Sequence, residues 1–284
     1  MSIENTQPVS LNPDNHFVGL DSLAIRSKIR SNSFQGQTAG LAPGRLQANL
    51  VIMPEEFAFD FSRFCQRNPK PCPLSGVSDT GNPMMHTMGQ DIDIRTDVSA
   101  YNIYRYGKLV NSSSDIIDIW QEDFVVFALG CSFTFEHAVQ RAGVKLWHIE
   151  NNTTVPMFRT NIDCIPSGAF SGNMVVSMRS VPKEQVQLVS EISAKYPLAH
   201  GAPVHVGSSE SIGIMDLEKP DWGDPAPIEQ GYVPVFWACG VTPQVAIEKA
   251  QIPIVITHKP GHMLISDIDE CAETPIIKPK TSGD

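Results

Sequence analysis

The chain has 284 residues, and at roughly 150 residues per domain that suggests one large domain or two modest ones. Its 42% hydrophobic and 18% charged content is an ordinary globular balance, which excludes a disordered or fibrous chain. Thirty-one acidic against 21 basic residues leave a formal net charge of -10 with no long basic run. That argues against nucleic acid as a partner, because phosphate neutralisation needs clustered Lys and Arg.

The longest apolar stretches, such as residues 124–129, fall far short of the ~20 residues of a membrane-spanning helix. The first residues lack a basic segment followed by an apolar one. A cytoplasmic protein with no membrane partner is the expectation. Six cysteines (Cys65, Cys72, Cys131, Cys164, Cys239 and Cys271) contain no CxxC pair, so reduced thiols are expected rather than a zinc ribbon or a disulfide framework.

In chain order, residues 1 to about 20 are polar. Asp21 then suits the N-cap of a helix reaching about Arg30, with Ile25 and Ile29 on one face. A second helix is expected in MPEEFAFDFSRFCQRNP, where Pro54 suits the first turn, Glu55 and Glu56 the positive end, and Phe57, Phe61 and Phe64 one face. Residues 72–100, rich in Pro, Gly, Asn, Asp and Ser, read as a long loop with a turn at Thr80-Gly81-Asn82, and a loop of that size usually has a job.

Two segments share one design: an apolar run, a Gly beside a Cys, a polar cap, and an amphipathic helix. They are FVVFALGCSFTFEHAVQRAG and VPVFWACGVTPQVAIEKAQ, with Ser132 or Thr134 and then Thr242 as expected N-caps. Near-continuous apolar runs suggest strands buried on both faces of a parallel sheet. Between them, VKLWHIE, TVPMFRT, NMVVSMRSV and a helix in PKEQVQLVSEISAKY suit a smaller α+β region. The expected fold is therefore α/β, a largely parallel sheet domain (residues 1–145 and 232–270) with a smaller inserted α+β domain (146–231) and a flexible tail (271–284).

The two strand-to-helix turns would place Cys131 and Cys239 at helix N-termini beyond strand ends, where open α/β sheets bind ligands and where thiol pKa values fall. A free Cys packed as a small apolar residue is the competing reading. Arg159, beside Thr160 and Asn161, suits a carboxylate, or else a surface ion pair. Arg95, Asp97 and Tyr101 offer the same, or an edge strand. His200, His205, Glu210, Asp216, Asp221 and Asp224 could hold Mn or Zn, but at spacings unlike an HExxH site. His258, His262 and Asp267 could supply an acid or base, or simply shape a turn. No GxGxxG, GxxxxGK[ST] or GxSxG motif occurs.

The runs LAPGRLQANLVIMPEEFAFDFSRFCQRNPKPCPL, LGCSFTFE, VPMFRTNI, HGAPVHVG, PDWGD, PVFWACGVTPQ and ITHKPGHMLISD, in that order, resemble the D-glutamate cyclase family over about residues 20–268. The resemblance implies a hydro-lyase of two domains, with closure of D-glutamate to 5-oxo-D-proline and water as the named reaction and a small acidic metabolite as partner. Set beside that reaction, Arg159 fits the α-carboxylate, with Asn161 nearby, and His205 or Cys239 the base. Backbone N–H groups from Cys131 and Ser132 to Thr134, and from Gly240 to Thr242, suit the oxyanion. Glu136, His258 or Asp267 would supply the proton, and a divalent cation (Mn or Mg) could polarise the γ-carboxyl. Homo-oligomerisation is left open. Two rival readings are a cofactor-independent racemase using Cys131 and Cys239 on opposite faces of one Cα, and a non-catalytic binding protein for a small carboxylate.

Overall fold

The computed structural model describes residues 19–151 and 153–273. Helix α1 (Ser22–Arg30) begins where expected, the Asp21 carboxylate accepting the Ala24 N–H at 2.8 Å. Strand β1 (Arg45–Pro54) leads into α2 (Glu55–Arg67), which buries Phe61 and Phe64 and packs Phe57 against the same cluster. Strands β2 (Leu74–Val77), β3 (Tyr101–Arg105), β4 (Lys108–Ser113) and β5 (Phe124–Gly130) follow, and β5 runs into α3 (Phe133–Arg141). One helical turn, α4 (Trp147–Glu150), precedes β6 (Met157–Asp163), β7 (Asn173–Pro182), α5 (Val186–Ala194) and the short β8 (His205–Val206). The second strand–Cys–helix unit is β9 (Tyr232–Ala238) with α6 (Thr242–Ala250), after which come β10 (Val255–His258) and β11 (Leu264–Asp269). The expected polar N-terminus up to residue 18, and the tail from residue 274 onward, lie outside the described residues.

The class is mixed α/β, but the sheets are antiparallel, which corrects the expected parallel sheet. The first runs β2-β5-β1-β10-β3-β4, with β11 beside β10 on the same flank of β1: β11 faces Arg45–Ala48 and β10 faces Val51–Ile52. The second runs β6-β7-β9-β8. Every pairing in both is antiparallel. The apolar runs misled because both faces of the first sheet are covered, a situation more usual for parallel sheets. Along β5, Phe124, Val126 and Ala128 enter one core, while Val125, Phe127 and Leu129 enter another. The expected loop at 72–100 opens with strand β2, paired to β5, and only the stretch after it is a loop. That loop covers the first face, with Met85, Met88, Ile92, Ile94 and Val98 all buried.

Strands β5 and β9 thus lie in different sheets, and each passes its helix across to the other layer. Helix α3 packs Phe135 and Val139 on Val181, Val235 and Trp237 of the second sheet. Helix α6 packs Ala246 and Ile247 on Val51, Tyr104 and Val255 of the first, while Val245 keeps it against Val175 of the second. The second sheet draws β6, β7 and β8 from residues 146–231 and β9 from the chain beyond, so it takes strands from both sides of the division at 231. The exchange brings the two Cys turns to the junction between the sheets.

Candidate functional site

The two turns are held by the same hydrogen bonds. In the first, Cys131 N–H donates to Gln47 O at 2.9 Å, and Gln47 N–H donates to Thr134 Oγ1 at 3.1 Å. In the second, Cys239 N–H donates to Val175 O at 3.0 Å, and Val175 N–H donates to Thr242 Oγ1 at 3.0 Å. Thr134 and Thr242 therefore stitch a helix start to a neighbouring strand instead of capping it, and Val241 is the residue preceding α6. Two residues beyond Gln47 is Asn49, and two beyond Val175 is Ser177. With side chains alternating along a strand, both point the same way as their anchors. The result is a pocket with two matching halves.

Its walls include Asn49, Cys131, Ser132, Phe133, Ser177, Cys239, Gly240, Val241 and His258, with Thr154, Val155, Met157, Pro260, Gly261 and Met263 around them; about 410 Å³ lies between these groups, its open mouth included. Asn49 donates both amide protons, to Leu129 O at 3.2 Å and Gly130 O at 3.0 Å, which fixes its carboxamide against the Gly240 turn. A Cβ on Gly240 would stand 2.2 Å from Asn49 Nδ2, so only glycine admits this approach.

Helix-end N–H groups do favour the thiolates: Phe133 N–H acts on Cys131, and Val241 and Gly240 N–H act on Cys239. Burial acts the other way and more strongly. It pushes Cys131 up to about 12 and Cys239 up to about 11, so both are thiols at neutral pH, against the lowered values expected of helix N-termini. Burial also pushes His258 down to about 4, so the ring is neutral. The Leu50 N–H donates to its Nδ1 at 3.1 Å, which assigns the ring proton to Nε2. His258 thus offers a donor and no free lone pair.

Beneath the pocket lies a buried ionic group of which sequence reasoning singled out only Glu136. The Arg179 guanidinium donates to Glu136 Oε1 at 2.5 and 3.1 Å, to Ser177 Oγ at 3.0 Å and to Ser132 Oγ at 3.1 Å. His148 Nε2 shares Glu136 Oε1 at 2.9 Å, and Phe135 and Trp237 flank the guanidinium with ring centroids 5.3 and 5.2 Å from its carbon. His148 and Arg179 together hold the Glu136 carboxyl at about 2 despite its burial. A signal for this group existed. Ser177 and Arg179, like Gln47 and Asn49, are polar residues two apart inside apolar strands, and a charge there must have a buried partner.

Of the sequence candidates, the pocket brings together Cys131, Ser132, Cys239, Gly240 and His258, with Glu136 one layer below. Thr242 is a stitch. The others stand elsewhere. Arg159 is a half-exposed surface residue paired with Glu248 at 3.2 Å and Asp221 at 3.7 Å, over the Trp222 ring, so its alternative reading as a surface ion pair is the one seen. Asn161 is exposed on β6 beside the Gly213 turn. His205 lies on Phe236 with Nε2 against Ser208 O at 2.7 Å, closing its own loop. Asp267 accepts from buried Arg26, from Ser22 Oγ and from Gln90 N–H, which locks α1 to β11 and the long loop. Asp97 pairs with Arg30, Arg95 with Asp93, and Asp216 with Lys219. Asp224 accepts the Thr154 N–H. Among the described residues no three His, Cys, Asp or Glu side chains converge to hold a metal ion, so the ligands for a Mn, Mg or Zn ion are not assembled there. No helix among them is long and apolar enough to cross a membrane.

Fold and pocket together describe a mixed α/β chain whose polar centre lies where two antiparallel sheets exchange helices. The family model described as D-glutamate cyclase matches residues 125–267, which includes both Cys turns, Arg179 and His258. A protein of Dinoroseobacter shibae named "Putative hydro-lyase" is 66% identical over 256 residues, covering 90% of this chain and 85% of its own. One of Ruegeria pomeroyi with the same designation is 65% identical over 254 residues, 89% and 92% of the two chains. Another, of Bacillus licheniformis, is 50% identical over 244 residues, 86% and 93%. This chain belongs to the D-glutamate cyclase family. Among solved structures, a nitrogen repressor-like protein from Methanococcus jannaschii aligns with 84% of this chain and 96% of its own at 12% identity and a TM-score of 0.36, which does not establish a shared fold.

Proposed function

We propose that this chain is a lyase that expels water from a small acidic metabolite, and that its reaction is closure of D-glutamate to 5-oxo-D-proline. Membership of the family and the hydro-lyase names of its relatives support the class. The observation that carries the reading is the meeting in one pocket of two protonated thiols, a neutral imidazole N–H and two serine hydroxyls.

In the closure the amine nitrogen attacks the γ-carboxyl carbon, a C–N bond forms, a C–O bond breaks, and two protons from nitrogen leave with the oxygen as water. The enzyme supplies no net proton; it must relay them and steady the oxyanion. His258 Nε2–H suits the oxyanion, as a neutral imidazole is a strong enough donor without giving up its proton. A thiol suits the relay, donating S–H to the departing oxygen and recovering a proton from nitrogen, and Cys239 is the one assigned here. The substrate's own γ-carboxylate takes the first ammonium proton.

One observation favours a second reading. Cys131 and Cys239 occupy matching positions on the two halves of a single pocket, the arrangement a two-thiol racemase needs. Incubation with D- and L-glutamate in D2O, read by mass, separates the two. The cyclase reading expects a product lighter by one water with no deuterium at Cα, and a Cys131→Ser variant with measurable turnover. Deuterium at Cα, abolished by changing either Cys, would establish the racemase instead.

A further inference from the structure

Arg179 is almost wholly buried, so its charge reaches the pocket only through what it touches. Both serine contacts have the guanidinium as donor and the hydroxyl oxygen as acceptor. A hydroxyl oxygen that accepts from a guanidinium must direct its own proton elsewhere, and a serine carries one such proton. Among the described residues neither Ser132 Oγ nor Ser177 Oγ donates a hydrogen bond to the protein, and both residues line the pocket. The two hydroxyls come from opposite halves, Ser132 from the turn before α3 and Ser177 from β7, and they are tied to different nitrogens of one fork.

We infer that Arg179 is a positioning residue that turns Ser132 and Ser177 into a matched pair of donors for the non-reacting α-carboxylate of the substrate. This rests on the reading of the pocket as the reaction site. A guanidinium fork matches the two oxygens of a carboxylate, and the hydroxyls relay that match outward. Glu136 and His148 hold the fork from behind, so it cannot swing into the pocket and pair with the ligand itself. The ligand class follows from the donor count. A carboxylate gives each O–H its own anionic oxygen, whereas a primary amide has a single neutral oxygen for the two hydroxyls to share and turns its NH2 donors toward them.

The test is calorimetric, with glutarate and its neutral isostere pentanediamide as probes, since neither can cyclise. Wild-type protein should bind glutarate at least about tenfold more tightly than the diamide, as expected for charge-assisted hydrogen bonds. Ser132→Ala and Ser177→Ala should each weaken glutarate by about tenfold while leaving the diamide nearly unchanged. If the variants turn over D-glutamate, the loss should appear in KM more than in kcat, which loosened packing would not produce. Equal binding of the two probes to wild type, absence of glutarate binding, or alanine variants that bind glutarate like wild type would each overturn the inference. Equal binding of the two probes to wild type overturns the inference even if an alanine variant fails to fold, and Ser132→Cys and Ser177→Cys, close in size but with a weak S–H donor, then take the place of the alanines and should weaken glutarate likewise. The expected glutarate pattern in a protein that does not dehydrate D-glutamate would leave the carboxylate site standing and remove the cyclase.

Discussion

Cys131 and Cys239 sit at helix starts and receive backbone N–H groups, yet burial sets their protonation, with values near 12 and 11 against an ordinary 9. Only the thiolate reacts with alkylating agents, so both should be slow. Cys271 is the one exposed cysteine of the six. With iodoacetamide at pH 8, peptide mass spectrometry should find Cys271 modified first and the two pocket thiols unmodified while the chain stays folded. Rapid labelling of Cys239 would show a thiolate and remove it from the role of proton donor. The same residue scale decides His258, where one backbone N–H on Nδ1 makes the ring a donor and not a base.

At the scale of elements, the Cys turns work because a strand leaves one sheet and its helix lands on the other, and Thr134 and Thr242 hold both crossings in the same way. A different junction holds α1. Fully buried Arg26 donates to Asp267 at 2.8 Å, to Ile265 O and to Gln90 O, tying α1, β11 and the long loop together. Removing the carboxylate charge strands a buried cation, which in a pair with one partly open member costs about 2–3 kcal/mol. Asp267→Asn should therefore lower the urea midpoint while leaving the kcat of any water-loss activity unchanged. A variant of wild-type stability with no turnover would return Asp267 to the chemistry.

For the molecule as a whole, three buried histidines set the response to acid. Burial lowers His200, His258 and His262 to about 4 from the ordinary 6.5. Between those values the unfolded chain binds more protons than the folded one, so stability is complete above about pH 6.5 and drains away as the pH falls to 4. Glu136, held near 2, adds a loss of the same sign as the pH falls from 4.5 toward 2. His200 and His258 each contribute on the order of 3 kcal/mol to that loss, against a typical domain stability of about 5–15 kcal/mol. Urea midpoints should be flat from pH 8 to 7 and fall steeply below 6; a flat profile to pH 4 would show these rings protonated in the fold. The second sheet makes a further demand. Strand β7 pairs with β9 from Val176↔Ala238 to Pro182↔Tyr232, so a fragment of residues 146–231 lacks the partner of its central strand. Expressed alone, it should show no near-ultraviolet circular dichroism and no cooperative unfolding.

What could be read locally was local in cause. Asp21 capping α1, Pro54 and the two glutamates opening α2, the apolar strands, and the twin strand–Cys–helix segments all follow from interactions within a few residues. Ordered motifs along the chain likewise sufficed for the family. Strand direction could not be read, because an apolar run reports only that both faces are covered, and here a loop covers one of them. Arg159 and His205 looked functional by type, but acids and carbonyls distant or nearby in the chain satisfied them at the surface. The thiol pKa values went the other way from the helix-end rule because desolvation depends on what the rest of the fold places over each turn. Asn49, Ser177 and Arg179 became a site only when β1 and β7 were brought face to face with the two Cys turns. Residues some 130 apart in the chain share a pocket by packing, and packing is a property of the whole fold.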